Sequence, residues 1–229
     1  MTSFGSSART ASAQNVIAGT TDTQPGATLL LPYFETSLSK TKPTTVFSIN
    51  NASATAVLAH VVVWSDLSVP VLNFNVYLTG YDVQTLNVRD LFQGRLPGSG
   101  PALSPQGPLS EAGSPLATCS ADAQVGIAPP LDREETRLLR AAHAGLAVTD
   151  GPSPLCASNG PAVPGLLTGY ITVDAVNRCS PATVGTLVNT PANGTYFAAK
   201  GTGLASDENV LWGDYTYVNP QRNTSNGGT

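Results

Sequence analysis

The most strand-like stretch of this chain is VLAHVVVW, which runs from Val57 to Trp64. Apolar and β-branched residues occupy both of its alternating faces, which is typical of a strand that is covered on both sides. His60 shares a face with Leu58 and Val62, so we expect a core histidine here and not a catalytic or metal-binding one. The stretch therefore predicts the central strand of a sheet.

Shorter strand-like stretches lie on either side of this segment. Residues 72–78 alternate between apolar and polar types, and turn signals such as Gly80 separate the stretches at a spacing typical of all-β folds. The other predicted strands are 29–34, 45–50, one after Gly80 that includes Leu86 and Val88, 170–176, 195–198 and 209–218. The tail 219–229 is polar, and we expect no strand there. The pattern predicts an all-β fold, a β-sandwich of the immunoglobulin-like or jelly-roll-like type.

One short helix interrupts the strands. It lies in a predicted insertion at 93–165, whose other residues form long loops rich in Pro and Gly. Asp132 and Glu135 have the spacing of a capping box at the helix start, and Gly145 suits its end. His143 lies in the last turn, where we expect a cation that complements the helix dipole. With this insertion, residues 28–229 are predicted to form a single domain.

Residues 1–27 precede the domain as a polar arm that is rich in Gly, Ser and Thr. An arm of this composition buries too little apolar surface to become ordered by itself. If the arm is ordered, either its own domain or a neighbouring copy holds it. Its short apolar patch consists of Val16, Ile17 and Ala18. We expect this patch to act as an inter-subunit strand that adds to a sheet edge of the next copy.

The composition favours some partners and argues against others. Charged residues make up only 11% of the chain, against about 25% in average globular proteins. Sparse charge weakens the repulsion between copies and favours association with themselves or with a solid surface. The net charge of −4 and the lack of a basic run argue against a nucleic-acid partner. No apolar stretch approaches the ~20 residues of a membrane span.

The three cysteines are Cys119, Cys156 and Cys179. Their spacing fits no zinc site. In an oxidising compartment they allow one disulfide and one remaining thiol, with all three pairings open. Pairing with a cysteine of another chain is the alternative.

A set of motifs is spread along the chain. They are LPYFE from Leu31, NNAS from Asn50, VLAHVVVWSD from Val57, FNVYLTGYDVQ from Phe74, RDLF from Arg89, GYITVD from Gly169, NRC from Asn177 and VLWGDY from Val210. Together they resemble an uncharacterised group of secreted bacterial β-rich proteins. The resemblance implies secretion and carries over no activity or catalytic residue. Members of that group continue into further strands after the last motif, so this sheet is expected to lack a strand that something else supplies.

Two further groups of residues are candidates for binding. Asp207, Asn209 and Asp214 offer oxygen ligands that suit calcium, although ordinary turn formation explains the same residues. Trp212 is a candidate aromatic contact for sugars, with core packing as the alternative. No other cofactor is expected.

These features predict an extracellular, cell-surface structural protein that assembles with copies of itself into a filament, a pilus-like fibre or a layer. The alternative hypothesis is a secreted module that binds carbohydrate or another surface. A secreted hydrolase is a third hypothesis. It would need two carboxylates that converge in a cleft or a nucleophile paired with histidine, and the sequence contains no nucleophile elbow.

Overall fold

The computed structural model describes residues 24–97, 131–145, 160, 163–180 and 196–229. In these ranges, nine β-strands form two antiparallel sheets, which confirms the all-β prediction. The finer choice of an immunoglobulin-like or jelly-roll-like sandwich stays a prediction. The strands are β1 (Thr28–Thr36), β2 (Thr44–Asn51), β3 (Val57–Trp64), β4 (Pro70–Leu78), β5 (Val83–Asn87), β6 (Leu167–Val176), β7 (Leu211–Trp212), β8 (Tyr215–Asn219) and β9 (Thr224–Gly228).

β3 lies inside the first sheet, whose strand order is β1-β6-β3-β4. All eight of its residues are buried, which confirms the prediction of a central strand that is covered on both faces. Val57, Ala59 and Val61 face the main core. Leu58, on the opposite face, belongs to a second and smaller cluster. The first sheet is therefore buried on both faces where β3 runs.

The second sheet has the order β5-β2-β8-β9, and the two-residue β7 also pairs with β2. β7 and β8 lie one after the other along β2, and Gly213 and Asp214 join them. A Cβ atom on Gly213 would lie 2.6 Å from the carbonyl oxygen of Ser48. Glycine therefore allows this connection to lie directly against β2.

One hydrophobic core is shared by the two sheets. Phe47 and Ile49 of β2 pack in the same cluster as Val61 of β3 and Phe34 of β1. Full burial of one such side chain stabilises a fold by about 1.5–3 kcal/mol. The second cluster contains Leu58, Val176, Cys179, Tyr196, Leu204 and Ala205.

The predicted helix is present as α2 (Arg133–His143), and a four-residue helix, α1 (Val88–Leu91), follows β5. Asp132 and Glu135 form the predicted capping box, and Gly145 follows the helix with a φ of 71°. None of the described helices is long and apolar enough to cross a membrane.

The expectation that His143 is a helix-capping cation is wrong, because the residue is completely buried. Its ring contacts Phe34 and Phe92, with centroids 5.6 and 4.8 Å away. Nδ1 lies 2.8 Å from the carbonyl oxygen of Thr168 and donates to it. Desolvation penalises the imidazolium and lowers the pKa of His143 to about 4. The ring is therefore neutral at pH 7.

Four strand predictions differ in part from the structure. Val88, expected on a strand, begins α1, and the predicted strand 209–218 is divided into β7 and β8 by Gly213 and Asp214. The tail was expected to be strandless, yet Thr224–Gly228 forms β9 by pairing with β8. This strand has no apolar pattern, and its geometry comes from a hairpin whose turn places Asn223 at a φ of 49°. Residues 196–198, which were expected to form a strand, lead instead into a short 3-10 turn, Ala199–Gly201.

Candidate functional site

β9 lies at one edge of the second sheet, and in the described part of the chain no strand pairs with its outer side. Four of its five residues are exposed. It contains neither a charged residue nor a proline, and these are two means by which proteins protect edge strands from pairing. The N–H and C=O groups on the outer side of β9 can therefore accept another strand.

The chain enters the domain close to this edge. Gly26 and Leu211 exchange two backbone hydrogen bonds, of 2.7 and 2.9 Å. Ala175 donates its N–H to the carbonyl oxygen of Ala27 at 2.8 Å. The last two residues of the predicted arm 1–27 are thus held by the domain, one by each sheet.

A groove of about 240 Å³ lies between this entering segment, β1 and the connection from β7 to β8. Its wall includes two exposed apolar side chains, since Trp212 is 40% and Leu30 60% exposed. Polar groups complete the wall. The lining residues include Gln24, Thr28, Leu30, Ser48, Trp212 and Asp214.

Hydrogen bonds fix the polar side of this groove. Nδ2 of the buried Asn50 donates to Oγ of Ser48 at 2.8 Å and to the carbonyl oxygen of Trp212 at 3.1 Å. Ser48 in turn donates to Oδ1 of Asp214. Within the described residues, Oδ2 of Asp214 accepts no hydrogen bond. The chain of donors therefore ends at a carboxylate with one oxygen facing a ligand or solvent.

A row of polar residues crosses the face of the first sheet that points away from the main core. Its members are register partners on four strands: Thr28, Asp174, His60 and Asn75. Asp174 accepts hydrogen bonds of 2.6 Å from the hydroxyls of Thr28 and Tyr196. Nδ1 of His60 donates to Oδ1 of Asn75 at 2.8 Å. The row ties the segment that contains Tyr196 to the sheet.

Burial determines the protonation of this row. Desolvation lowers the pKa of His60, against the opposing effects of its hydrogen bond to Asn75 and the charge of Asp174. Desolvation, assisted by the Asp174 carboxylate, raises the pKa of Tyr196. Nε2 of His60 is buried and has no hydrogen-bond partner among the described residues. His60 is thus a core histidine, as predicted, whose burial favours the neutral form, but within the described residues one ring nitrogen is unpaired.

The groove brings together two of the predicted binding residues, Trp212 and Asp214. Asp207 lies elsewhere in the fold, against the 3-10 turn at Gly201. Within the described ranges, no group of three or more His, Cys, Asp or Glu residues is arranged to hold a metal ion. The calcium hypothesis, with Asn209 as a further ligand, therefore gains no support from the geometry.

Several predicted residues lie outside the described residues. These are Val16, Ile17 and Ala18 of the arm and the disulfide candidates Cys119 and Cys156. Cys179 is buried in the second cluster, and its disulfide pairing stays a prediction.

Sequence reasoning did not find Ser48 and Asn50. Their place at the groove depends on the pairing of β2 with β7, which brings residues about 160 positions apart into contact. The local signal was the Trp-Gly-Asp stretch at 212–214, where an aromatic ring and a carboxylate flank a glycine.

Comparisons with protein-family models, with curated proteins and with solved structures find no significant match for this chain. The resemblance to secreted bacterial β-rich proteins therefore stays a prediction. The geometry of the β9 edge and of the groove is the basis for inferring function.

Proposed function

We propose that this chain is an extracellular structural protein whose copies associate through the outer edge of β9. Val16, Ile17 and Ala18 of one copy form the strand that the β9 edge of the next copy accepts. The observation that carries this proposal is the exposed, uncharged outer side of β9, which has no neighbouring strand in the described ranges. Backbone hydrogen bonds supply the affinity, and alternating side chains set the register.

The edge strands of the first sheet are less suited to this contact. β1 contains Pro32 and a register shift between Leu31 and Phe34. β4 begins at Pro70, next to a shift in its pairing with β3. Prolines and bulges interrupt the hydrogen-bond ladder at an edge. β5, the other edge of the second sheet, also has no outer neighbour in the described ranges, and the lysine variants below compare it with β9.

The register around the entering segment favours a contact between copies. Gly26 occupies the outer side of β7 opposite Leu211. Gly228 of β9 occupies the outer side of β8 opposite Tyr215. A strand that continued from Gly26 along β8 would therefore collide with β9. The second sheet of the same copy therefore gives the arm no place along β8, which supports the proposed pairing of Val16, Ile17 and Ala18 with a neighbour.

This contact joins two different surfaces, an arm and an edge, so it is head-to-tail. Head-to-tail contacts extend into open polymers unless the rotation between copies closes a ring. A filament, a pilus-like fibre or a layer at the cell surface is the assembly that follows. The low charge content of 11% supports it, because few like charges oppose the approach of copies.

An extracellular location implies an oxidising environment. We propose that Cys179 forms a disulfide there, with Cys119, with Cys156 or with another chain. Its burial in the second cluster suits a structural bridge. Peptide mapping by mass spectrometry without reduction identifies the partner, and a fully alkylated Cys179 in secreted material contradicts the proposal.

Two matched lysine variants test the role of the β9 edge. Ser225→Lys places a charge on β9, and Thr85→Lys places the same charge on β5, the opposite edge of the same sheet; both positions are exposed. We expect Ser225→Lys to abolish polymers in negative-stain images and to reduce the mass from light scattering to that of one chain. Thr85→Lys should assemble like the unmodified chain.

Thermal melts serve as the folding control, and both variants should melt within a few degrees of the unmodified protein. Polymers of Ser225→Lys that match those of Thr85→Lys would contradict the proposal. So would an unmodified chain that remains monomeric at every concentration.

A further inference from the structure

We propose that the groove beside Trp212 binds one pyranose ring of a neutral glycan, stacked on the indole and hydrogen-bonded to Asp214. This inference goes beyond the proposed function and does not depend on it, since the groove is distinct from the outer side of β9. It assigns a ligand class to the exposed surface of Trp212.

The backbone of β7 holds Trp212 in a fixed place. Trp212 is a register partner of Asn50, and Nδ2 of Asn50, a residue that is only 4% exposed, donates to the carbonyl oxygen of Trp212. The side chain is nevertheless 40% exposed. A tryptophan that is rigid in its backbone and open at its ring loses little conformational entropy when an apolar sugar face covers it.

The polar side of the groove is equally ordered. Asn50 donates to Ser48, and Ser48 donates to Oδ1 of Asp214. These two hydrogen bonds hold the carboxylate of Asp214 in one orientation beside Gly213. Oδ2, which accepts no hydrogen bond within the described residues, can accept one or two from sugar hydroxyls.

The size of the groove limits the ligand to one ring. Its volume of about 240 Å³ lies below the roughly 300–1,000 Å³ of sites that enclose drug-sized molecules. The open side leaves room for the rest of a glycan chain to extend into solvent.

The chemistry of the wall favours a neutral sugar over an organic cation. A cation would use the indole and the carboxylate alone. The hydroxyl of Thr28, another lining residue, gives its hydrogen to Asp174, so it can only accept a hydrogen bond from a ligand, as Asp214 does. The hydroxyls of a sugar ring can donate to acceptors of this kind, whereas a quaternary ammonium ion has no N–H or O–H to donate.

Titration of the full chain by NMR tests this assignment. The probes are maltohexaose, cellohexaose and chitohexaose up to 10 mM, with tetramethylammonium as the cationic alternative. We expect at least one saccharide to shift the indole N–H signal of Trp212 and to leave that of Trp64 unmoved, because Trp64 is only 6% exposed. Tetramethylammonium should cause no shift.

Variants identify the contacts. Trp212→Ala should weaken the binding saccharide at least tenfold, Trp212→Phe should recover part of the affinity, and Asp214→Asn should weaken it at least threefold. Tyr81→Ala is the matched control, since Tyr81 is a 71% exposed aromatic on the turn between β4 and β5. This variant should bind the saccharide with the affinity of the unmodified chain. The proposal is overturned if none of the saccharides shifts Trp212, if Trp212→Ala binds as well as the unmodified chain, or if only tetramethylammonium binds.

Discussion

Gly26 and Leu211 exchange backbone hydrogen bonds of 2.7 and 2.9 Å across the outer side of β7. This pair fixes the point at which the leading arm meets the second sheet. Gly26 also lines the groove, together with Thr229, which follows β9. The arm, the open edge and the groove therefore meet around one short stretch of the sheet.

The burial of His143 predicts a loss of stability in acid. The pKa of His143 is lowered from 6.5 to about 4 in the folded protein, so the unfolded chain takes up the proton first as the pH falls. Stability is therefore complete above pH 6.5 and declines between pH 6.5 and 4, by up to about 3 kcal/mol. Urea denaturation at a series of pH values measures this decline.

His143→Gln separates this effect from the titration of carboxylates in the same pH window. Glutamine keeps an N–H donor for the carbonyl oxygen of Thr168 but does not titrate. The variant should be less stable at pH 7 and should lose less stability between pH 6.5 and 4. Parallel curves for the two proteins would show that His143 is not the group responsible.

The bond between Tyr196 and Asp174 predicts a second effect. Tyr196→Phe removes the hydroxyl that donates to the buried Asp174 carboxylate at 2.6 Å. Loss of one hydrogen bond to a buried charged group lowers the free energy of unfolding by about 1–3 kcal/mol. Tyr81→Phe is the matched control, because Tyr81 is 71% exposed, and it should change stability by less than about 0.5 kcal/mol. Equal effects in urea denaturation would contradict the role given to the polar row.

The connection between β7 and β8 predicts a third effect. Gly213→Ala places a Cβ atom 2.6 Å from the carbonyl oxygen of Ser48, so the backbone of the groove must move. We expect a loss of about 1–3 kcal/mol and a shifted indole N–H signal for Trp212. Gly165→Ala is a useful comparison, since a Cβ there meets no atom within 4 Å and only the φ of 82° is strained. That variant should leave the Trp212 signal in place.

Local sequence was sufficient for the elements whose side chains carry the signal. The run from Val57 to Trp64, which is apolar except for His60, predicted a strand buried on both faces, and Asp132 with Glu135 predicted the start of α2. In both cases the preference comes from residues next to one another in the chain. Tertiary contacts confirm these preferences and do not oppose them.

Elements that depend on distant partners were missed. Thr224–Gly228 has the composition of a loop, and only its pairing with β8 makes it a strand. The position of His143 in a helix suggested a surface cation, whereas packing against Phe34 and Phe92 removes it from water. The groove needs the register between β2 and β7, which no local pattern contains. The edge and the groove therefore became visible only in three dimensions.

Deletion of residues 1–23, which keeps the Gly26–Leu211 pair intact, tests the assembly most directly. Light scattering coupled to size-exclusion chromatography measures the mass of the purified full chain and of the deleted chain under the same conditions. The full chain should elute as polymers and the deleted chain as single folded copies. Polymers of undiminished mass after the deletion would show that the leading arm does not join the copies.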